Sequence, residues 1–491
     1  MFALKNSVVS LFFICLVVSI LLFPYPMLST KEPVWAIVVG FKGYAMYSFF
    51  DGKNLYTCGY NYRYVNDKYE PLPFIAKYDI VEEKLEWYKV IENVRGWACS
   101  VLLKNGKVIV AGFSAPGNGF LICLSENGDF LWGYMTPDCL FGLLDLGDEI
   151  LAYGSGQVIL FKENGKIVKS LFFEVKNSLG EWVPVDFKSI EYVDGKFYAV
   201  GYQFSLVSTK KWSFDGHLVC LGKDLNPLWI TGFGIENVGD HYMAISYYND
   251  YLYVGGFDEK GNMVLMKLNT NGNPVLAKYI NYGGKGSIVA IHVIDNNIYV
   301  VGNMGKQKAD SSDIMVLKVN EELRALKTYT IGGSLGDFCF KSTGTANGII
   351  VSGKTYTWSL NKSSTESYPV IVYWPLEFVG KIGWKNVNWE PVVVGEGYEL
   401  KTVLLSNITV LKLQIRHTNI KYDKHEFKLV EQNPITVLAK TETIPTTITP
   451  SPTPKNTTTL PNATIVLLML AGAIAYFTIK YKLKKEAHAR A

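Results

Sequence analysis

Seven times along its 491 residues the chain writes a short apolar run ending in glycine: "LYTCGY" from 55, "VIVAGF" from 108, "ILAYGS" from 150, "FYAVGY" from 197, "LYVGGF" from 252, "IYVVGN" from 298 and "IIVSGK" from 349. The glycines, Gly59, Gly112, Gly154, Gly201, Gly256, Gly302 and Gly353, are separated by 53, 42, 47, 55, 46 and 51 residues. That period suits a four-stranded sheet repeated around an axis. Helical repeats are excluded, because the runs are rich in β-branched and aromatic residues and turns such as "KNGK", "VDGK", "ENGK" and "TNGN" mark tight hairpins. Each unit reads as an inner apolar strand ("HYMAISY"), the glycine-ended strand, a third strand ("NMVLMKL", "DIMVLKV", "HLVCLGK") and a fourth often carrying tryptophan ("EKLEWYKV", "DFLWGYM", "NPLWITGF"). Trp35, in "EPVWAIVVGF", precedes an inner strand with no complete unit before it. Residues 34–41 are therefore expected to supply the outer strand of the seventh blade, tying the ends of the ring together and removing a free sheet edge. The expected fold class is all-β, a seven-bladed β-propeller with four-stranded antiparallel blades, over residues 31–384.

The stretch "DIMVLKVNEELRALKTYTIGGSLGDFCFKSTGTANGIIVSG" gives the fuller grammar of the unit: an acidic residue, a strand with lysine, a turn, a fourth strand, Gly-Gly, then Asp and the next inner strand. This resembles the seven-bladed β-propeller repeats of the SBBP type found in secreted bacterial and archaeal proteins. The likeness runs over roughly residues 34–380 and is one of repeat pattern rather than of any catalytic motif. It implies a scaffold.

The ends carry membrane signals. Lys5 precedes an apolar stretch over 8–23, so residues 1–30 read as a signal peptide or signal anchor. Residues 463–479 are apolar and flanked by Lys480, Lys482, Lys484 and Lys485, so 463–481 read as a transmembrane helix and 482–491 as a basic cytoplasmic tail. The lysines at both ends place the bulk of the chain outside the cell. Before the helix, 441–462 holds nine threonines and five prolines within "TETIPTTITPSPTPKNTTTLP", the composition of an extended, glycosylated stalk. Asn361, Asn407, Asn456 and Asn462 stand in glycosylation sequons. Residues 385–440 hold strand-like runs without the glycine signature, and are expected to form a small membrane-proximal β module. A net charge of +4 from 48 basic and 44 acidic residues defines no basic domain, so nucleic acid is not an expected partner.

Counting back 15 or 16 residues from each shared glycine reaches the starts of the inner strands: Gly43, Gly96, Asp138, Asp186, Asp240, Ser287 and Asp337. Around an axis these would lie near one channel mouth, which makes Asp138, Asp186, Asp240, Ser287 and Asp337 ligand-binding candidates. The competing account, in which each Asp fixes a turn through backbone N–H groups, explains the recurrence without a ligand and is the stronger one. Gly332-x-Ser334-x-Gly336 matches a nucleophile elbow, but a strand rather than a helix follows, so no catalytic residue is assigned. His241, His292, His417 and His425 have no metal-ligand spacing, and no metal or cofactor is implied. Cys58, Cys99, Cys123, Cys139, Cys220 and Cys339 fall within strands and are expected as free thiols, with Cys58–Cys99 the one pair worth testing. Tyrosine and tryptophan, at 31 and 11, read mostly as core between blades rather than as a carbohydrate surface. The sequence thus favours a membrane-anchored extracellular propeller that binds protein or glycan in the cell envelope. The alternative is an extracellular enzyme acting on sugars, lactones or, with a bound quinone, alcohols at the channel mouth. Convergent residues that break the repeat would mark the enzyme.

Overall fold

The computed structural model describes residues 34–440, less short internal stretches of which the longest are 207–213, 306–311, 359–365 and 383–391. The candidate glycosylation sites and everything from 441 onward, with the stalk and the apolar run over 463–479, lie outside the described residues. Among the described residues no helix is long and apolar enough to cross a membrane.

Seven antiparallel sheets follow one another along the chain. Their inner strands are Gly43–Phe50, Gly96–Lys104, Leu140–Asp145, Ser189–Val193, Asp240–Tyr248, Gly286–Ile294 and Asp337–Gly344, defining blades one to seven. Hairpins joining first to second strands turn through paired left-handed residues, Asn105–Gly106, Asp194–Gly195, Asn249–Asp250 and Asp295–Asn296, the turn whose twist matches the strands it joins. The fourth strand of blade seven is Trp35–Val39, paired with Tyr368–Pro375. Its side chains alternate between two cores: Ala36 and Val38 pack between blades six and seven, Trp35, Ile37 and Val39 between seven and one. There are seven such cores, one for each blade interface. The outer-strand tryptophans lock neighbouring blades. Trp87 Nε1 donates to the Glu126 carbonyl at 2.9 Å, and Trp132 Nε1 to that of Glu163 at 3.1 Å, each indole lying over the turn glycine of the next blade, Gly128 or Gly165.

The shared glycines have a steric cause. A Cβ on any of the seven would stand 1.7 to 2.2 Å from a backbone carbonyl oxygen of the inner strand, that of the residue fifteen positions earlier. This carbonyl is pushed against its neighbour by a β-bulge. In blade one Met46 and Tyr47 together oppose Cys58, in blade seven Phe340 and Lys341 oppose Ser352, and the same slip recurs in blades two, three, five and six. Blade four repeats it at the edge of its strand, where Lys188 N bonds to the Val200 carbonyl and Ser189 also faces Val200.

The described strands of residues 385–440, expected as a module of their own, run from 392 onward and are distributed over the propeller instead. Val392–Glu396 pairs with the outer strand of blade six, Lys401–Leu404 with blade five, Thr409–Lys412 with blade four and Ile415–Asn419 with blade three. Lys424 bridges Tyr134 of blade two, Leu429–Glu431 pairs with blade one, and Thr436–Lys440 with Trp35–Val39 in blade seven. One segment thus runs around the whole ring in reverse blade order, antiparallel at every step. It also fills the clefts it crosses: Phe427, 3% exposed, sits against Phe120 and Phe130, and Leu438 enters the core between blades seven and one. The physical reason is the exposed outer edge of each blade, whose unpaired N–H and C=O groups are satisfied by a strand of the same chain.

Two stability measurements check this. Gly353→Ala, which places a methyl 1.7 Å from the Phe338 oxygen, should cost about 3 kcal/mol in chemical denaturation. Gly52→Ala, in an open turn with φ +101°, should cost only about 1 kcal/mol. Of two chains that begin at residue 34, one ending at residue 391 should expose the outer edges and self-associate in light scattering where one ending at residue 440 does not.

Candidate functional site

Strand pleating decides which inner-strand residues face the channel. At the position sixteen before the shared glycine, Asp240 and Asp337 are fully buried. The Asp337 carboxylate accepts from Gly333 N at 2.8 Å and from Thr357 Oγ1 at 3.1 Å, which ties down the inter-blade turn, and burial pushes its pKa up to about 7. Asp240 lies opposite Asp258. Asp138 accepts from Cys139 N at 2.7 Å, and burial raises its pKa. Asp186 and Ser287 stand one place later, where Asp186 pairs with Lys188 at 3.0 Å and Ser287 Oγ accepts from Asn303 Nδ2 at 3.3 Å. All five are thus held by local partners or packing.

The position one residue after the aspartates is the one rich in half-exposed aromatics: Tyr44, Trp97, His241 and Phe338. Each is paired across the strand with the residue after the shared glycine, giving Tyr44–Tyr60 at 4.8 Å, Trp97–Phe113 at 4.5 Å, His241–Phe257 stacked at 4.8 Å, and Lys354 over Phe338 at 4.8 Å. Contacts also cross between blades. Phe340 of blade seven stacks on Tyr44 at 5.2 Å, and Tyr60 of blade one on Trp97 at 5.0 Å. Lys354 lies 4.5 Å over Tyr44 and donates to its hydroxyl. The result is an unbroken aromatic arc over blades seven, one and two. Blade one extends it outward, because its second and third strands, Asn54–Val65 and Lys68–Asp79, run to twelve residues each and carry Tyr64 and Tyr69, 61% and 57% exposed.

Below the arc, the bulge positions thirteen and twelve residues before the shared glycines bring side chains of six blades to the channel. They wall a cavity of about 190 Å³ that includes Tyr47, Ser100, Lys188, Ser189 and Lys341. Two of these break the repeat with a charge. Lys188 stands at a bulge position that elsewhere holds residues such as Met46, Phe141 or Met243, with its ammonium 3.7 Å from the Phe141 ring. Lys341 reaches across from blade seven to donate to the Phe141 carbonyl, which the bulge has freed from the ladder, and burial lowers its pKa. Glu191 and His292 lie on the same wall. His292 Nε2 meets Ser342 Oγ at 2.7 Å, and burial pushes its pKa down to about 4. Burial pushes the Glu191 carboxyl up to about 7. Sequence reasoning stopped two or three residues short of Lys188 and Lys341; the same count from the glycines, carried on to thirteen and twelve, reaches them, and carried to ten it reaches Glu191 and His292.

The six described cysteines are free thiols, and the strand following Ser334, Asp337–Gly344, shows that no helix succeeds this turn. Among the described residues no group of three His, Cys, Asp or Glu side chains is placed to hold a metal ion. The fold and mouth define a seven-bladed β-propeller with an aromatic face and a lysine-bearing channel. No protein-family model matches the chain, and no curated protein matches it. Among solved structures the chain is similar to BamB from Moraxella catarrhalis, with 14% identity, 62% of this chain and 82% of that chain covered, and a TM-score of 0.36. It is also similar to Sqt1 from Chaetomium thermophilum, with 9% identity, 69% and 98% covered, and a TM-score of 0.39. At these scores neither neighbour bears on what the chain binds.

The buried carboxyl gives a pH test. Folded Glu191 keeps its proton up to about pH 7 where the ordinary glutamate releases it near 4.5, so its contribution to stability declines as pH rises through that window. Glu191→Gln should therefore gain on the wild type between pH 4.5 and 7, by on the order of 2 kcal/mol in denaturant titrations.

Proposed function

We propose that this chain is a membrane-anchored binding module of the cell exterior, which presents one propeller face to a protein or glycan of the envelope. The observation that carries this reading is the aromatic arc of the half-exposed Tyr44, Trp97 and Phe340 across three blades, joined through the buried ring of Tyr60 and extended by the exposed tyrosines of the blade-one hairpin. Rigid aromatic side chains offer large contact area at little entropic cost and stack on sugar faces or anchor a protein interface. The frame beneath is fixed by the bulges and by the encircling segment, so the arc is preorganised. The apolar run over 463–479 and the Thr/Pro stretch before it supply the anchor and the spacer in this reading.

One observation favours a second reading, an extracellular enzyme: Glu191, His292, Lys188 and Lys341 line one channel cavity. Such convergence breaks the repeat as chemistry requires. Against it, His292 is taken up by Ser342 and Lys188 by Asp186.

Binding to isolated cell envelopes separates these. Trp97→Ala and Tyr44→Ala should each weaken saturable binding at least about tenfold, the loss typical of an anchoring aromatic, with Leu228→Ala on the outer strand of blade four as an unaffected control. Undiminished binding by both aromatic variants would remove the arc from consideration.

A further inference from the structure

We propose that the channel seats a small oxyanion, a carboxylate or phosphate group, between the ammonium groups of Lys188 and Lys341. The charge balance of the wall points to it. Lys188 has the Asp186 carboxylate at 3.0 Å, whereas the hydrogen-bond partner of Lys341 is the neutral carbonyl of Phe141. Two ammonium groups therefore share one carboxylate, and the charge of Lys188 disfavours that of the buried Lys341. The thiols of Cys58 and Cys99 are near Lys341, but burial raises the pKa of both, so they stay neutral and bring no counter-charge. Glu191, the remaining carboxyl on the wall, accepts from the Tyr247 backbone, and burial keeps it largely protonated below pH 7.

The rest of the wall suits an anion. Tyr47, Ser100 and Ser189 supply hydroxyls, and the bulged strands hold them on rigid backbone. A volume of about 190 Å³ corresponds to roughly six water molecules at about 30 Å³ each. This admits a small molecule and excludes a polymer. The seat is distinct from the aromatic arc, so its failure would leave the arc's role standing, and the reverse.

The test uses the full chain in detergent, with inorganic phosphate and acetate as separate probes against chloride at constant ionic strength. At least one probe should raise the thermal midpoint saturably, the stronger of the two naming the class. Lys341→Met and Lys188→Met should each weaken the apparent Kd at least tenfold, while Lys260→Met on an exposed turn leaves it unchanged. Should Lys341→Met fail to fold, the wild type carries the test after reductive ¹³C-methylation: the resonance missing from the Lys188→Met spectrum should move on addition of the bound probe. Absence of a saturable response to either probe, or an unchanged Kd in folded Lys341→Met, would reduce the pair to a brace that closes the channel.

Discussion

A ring of sheets survives only if none of its edges is left open, and that requirement organises this molecule twice over. Within the ring, Trp35–Val39 enters blade seven as its fourth strand, so the first described strand is held by one of the last. Around the ring, the segment 392–440 pairs with every blade in turn. It pairs antiparallel with each outer strand and visits the blades in the reverse of their chain order. Both devices convert unpaired backbone groups into hydrogen bonds within the chain. What they leave available for recognition is the two faces and the channel.

The link from fold to site is the contact between an inner-strand carbonyl and the Cα of a glycine. Because Gly59 or Gly353 has no side chain, the carbonyl of Tyr44 or Phe338 can sit where a Cβ would be, and the bulge that follows can form. The bulge resets the pleat, and this puts the aromatic residue at the mouth and residues two and three places further on at the channel wall. The repeat therefore specifies positions, while the residues placed there differ from blade to blade. Lys188 and Lys341 exploit that freedom, occupying channel positions without disturbing the glycine contact that creates them.

The blade count, strand order and ring closure were legible because each rests on a local pattern: glycine-ended runs, type I′ turn pairs, and a lone tryptophan strand ahead of the first unit. The encircling segment was not. Its strands are three to five residues long and, apart from Val392–Glu396, which also pairs with Gly380–Ile382, meet a blade along one edge only, so they lack the repeat's glycine-ended run and its turn signal, and their destination depends on a ring assembled elsewhere in the chain. Asp186 and Ser287 occupy the mouth position, but Asp138, Asp240 and Asp337 stand one residue before it. Asp240 and Asp337 recur conspicuously, but in a pleated strand the conspicuous position and its neighbour point opposite ways, and the aspartates turned inward while His241 and Phe338 remained half-exposed. The aromatic count read as core because most of it is core; Trp35, Tyr88 and Trp374 are fully or nearly fully buried, and composition does not distinguish them from Trp97.

The most direct test of the recognition face is site-specific photo-crosslinking in intact cell envelopes. A photoreactive phenylalanine analogue at Tyr64, on the blade-one hairpin, is compared with the same group at Tyr192, beside a first-to-second-strand turn on the opposite face; both are exposed. A discrete protein or glycan adduct from position 64 and none from position 192 is the predicted result. Adducts from 192 alone, or equally from both, would contradict the assignment of the aromatic face as the surface through which this propeller meets its partner.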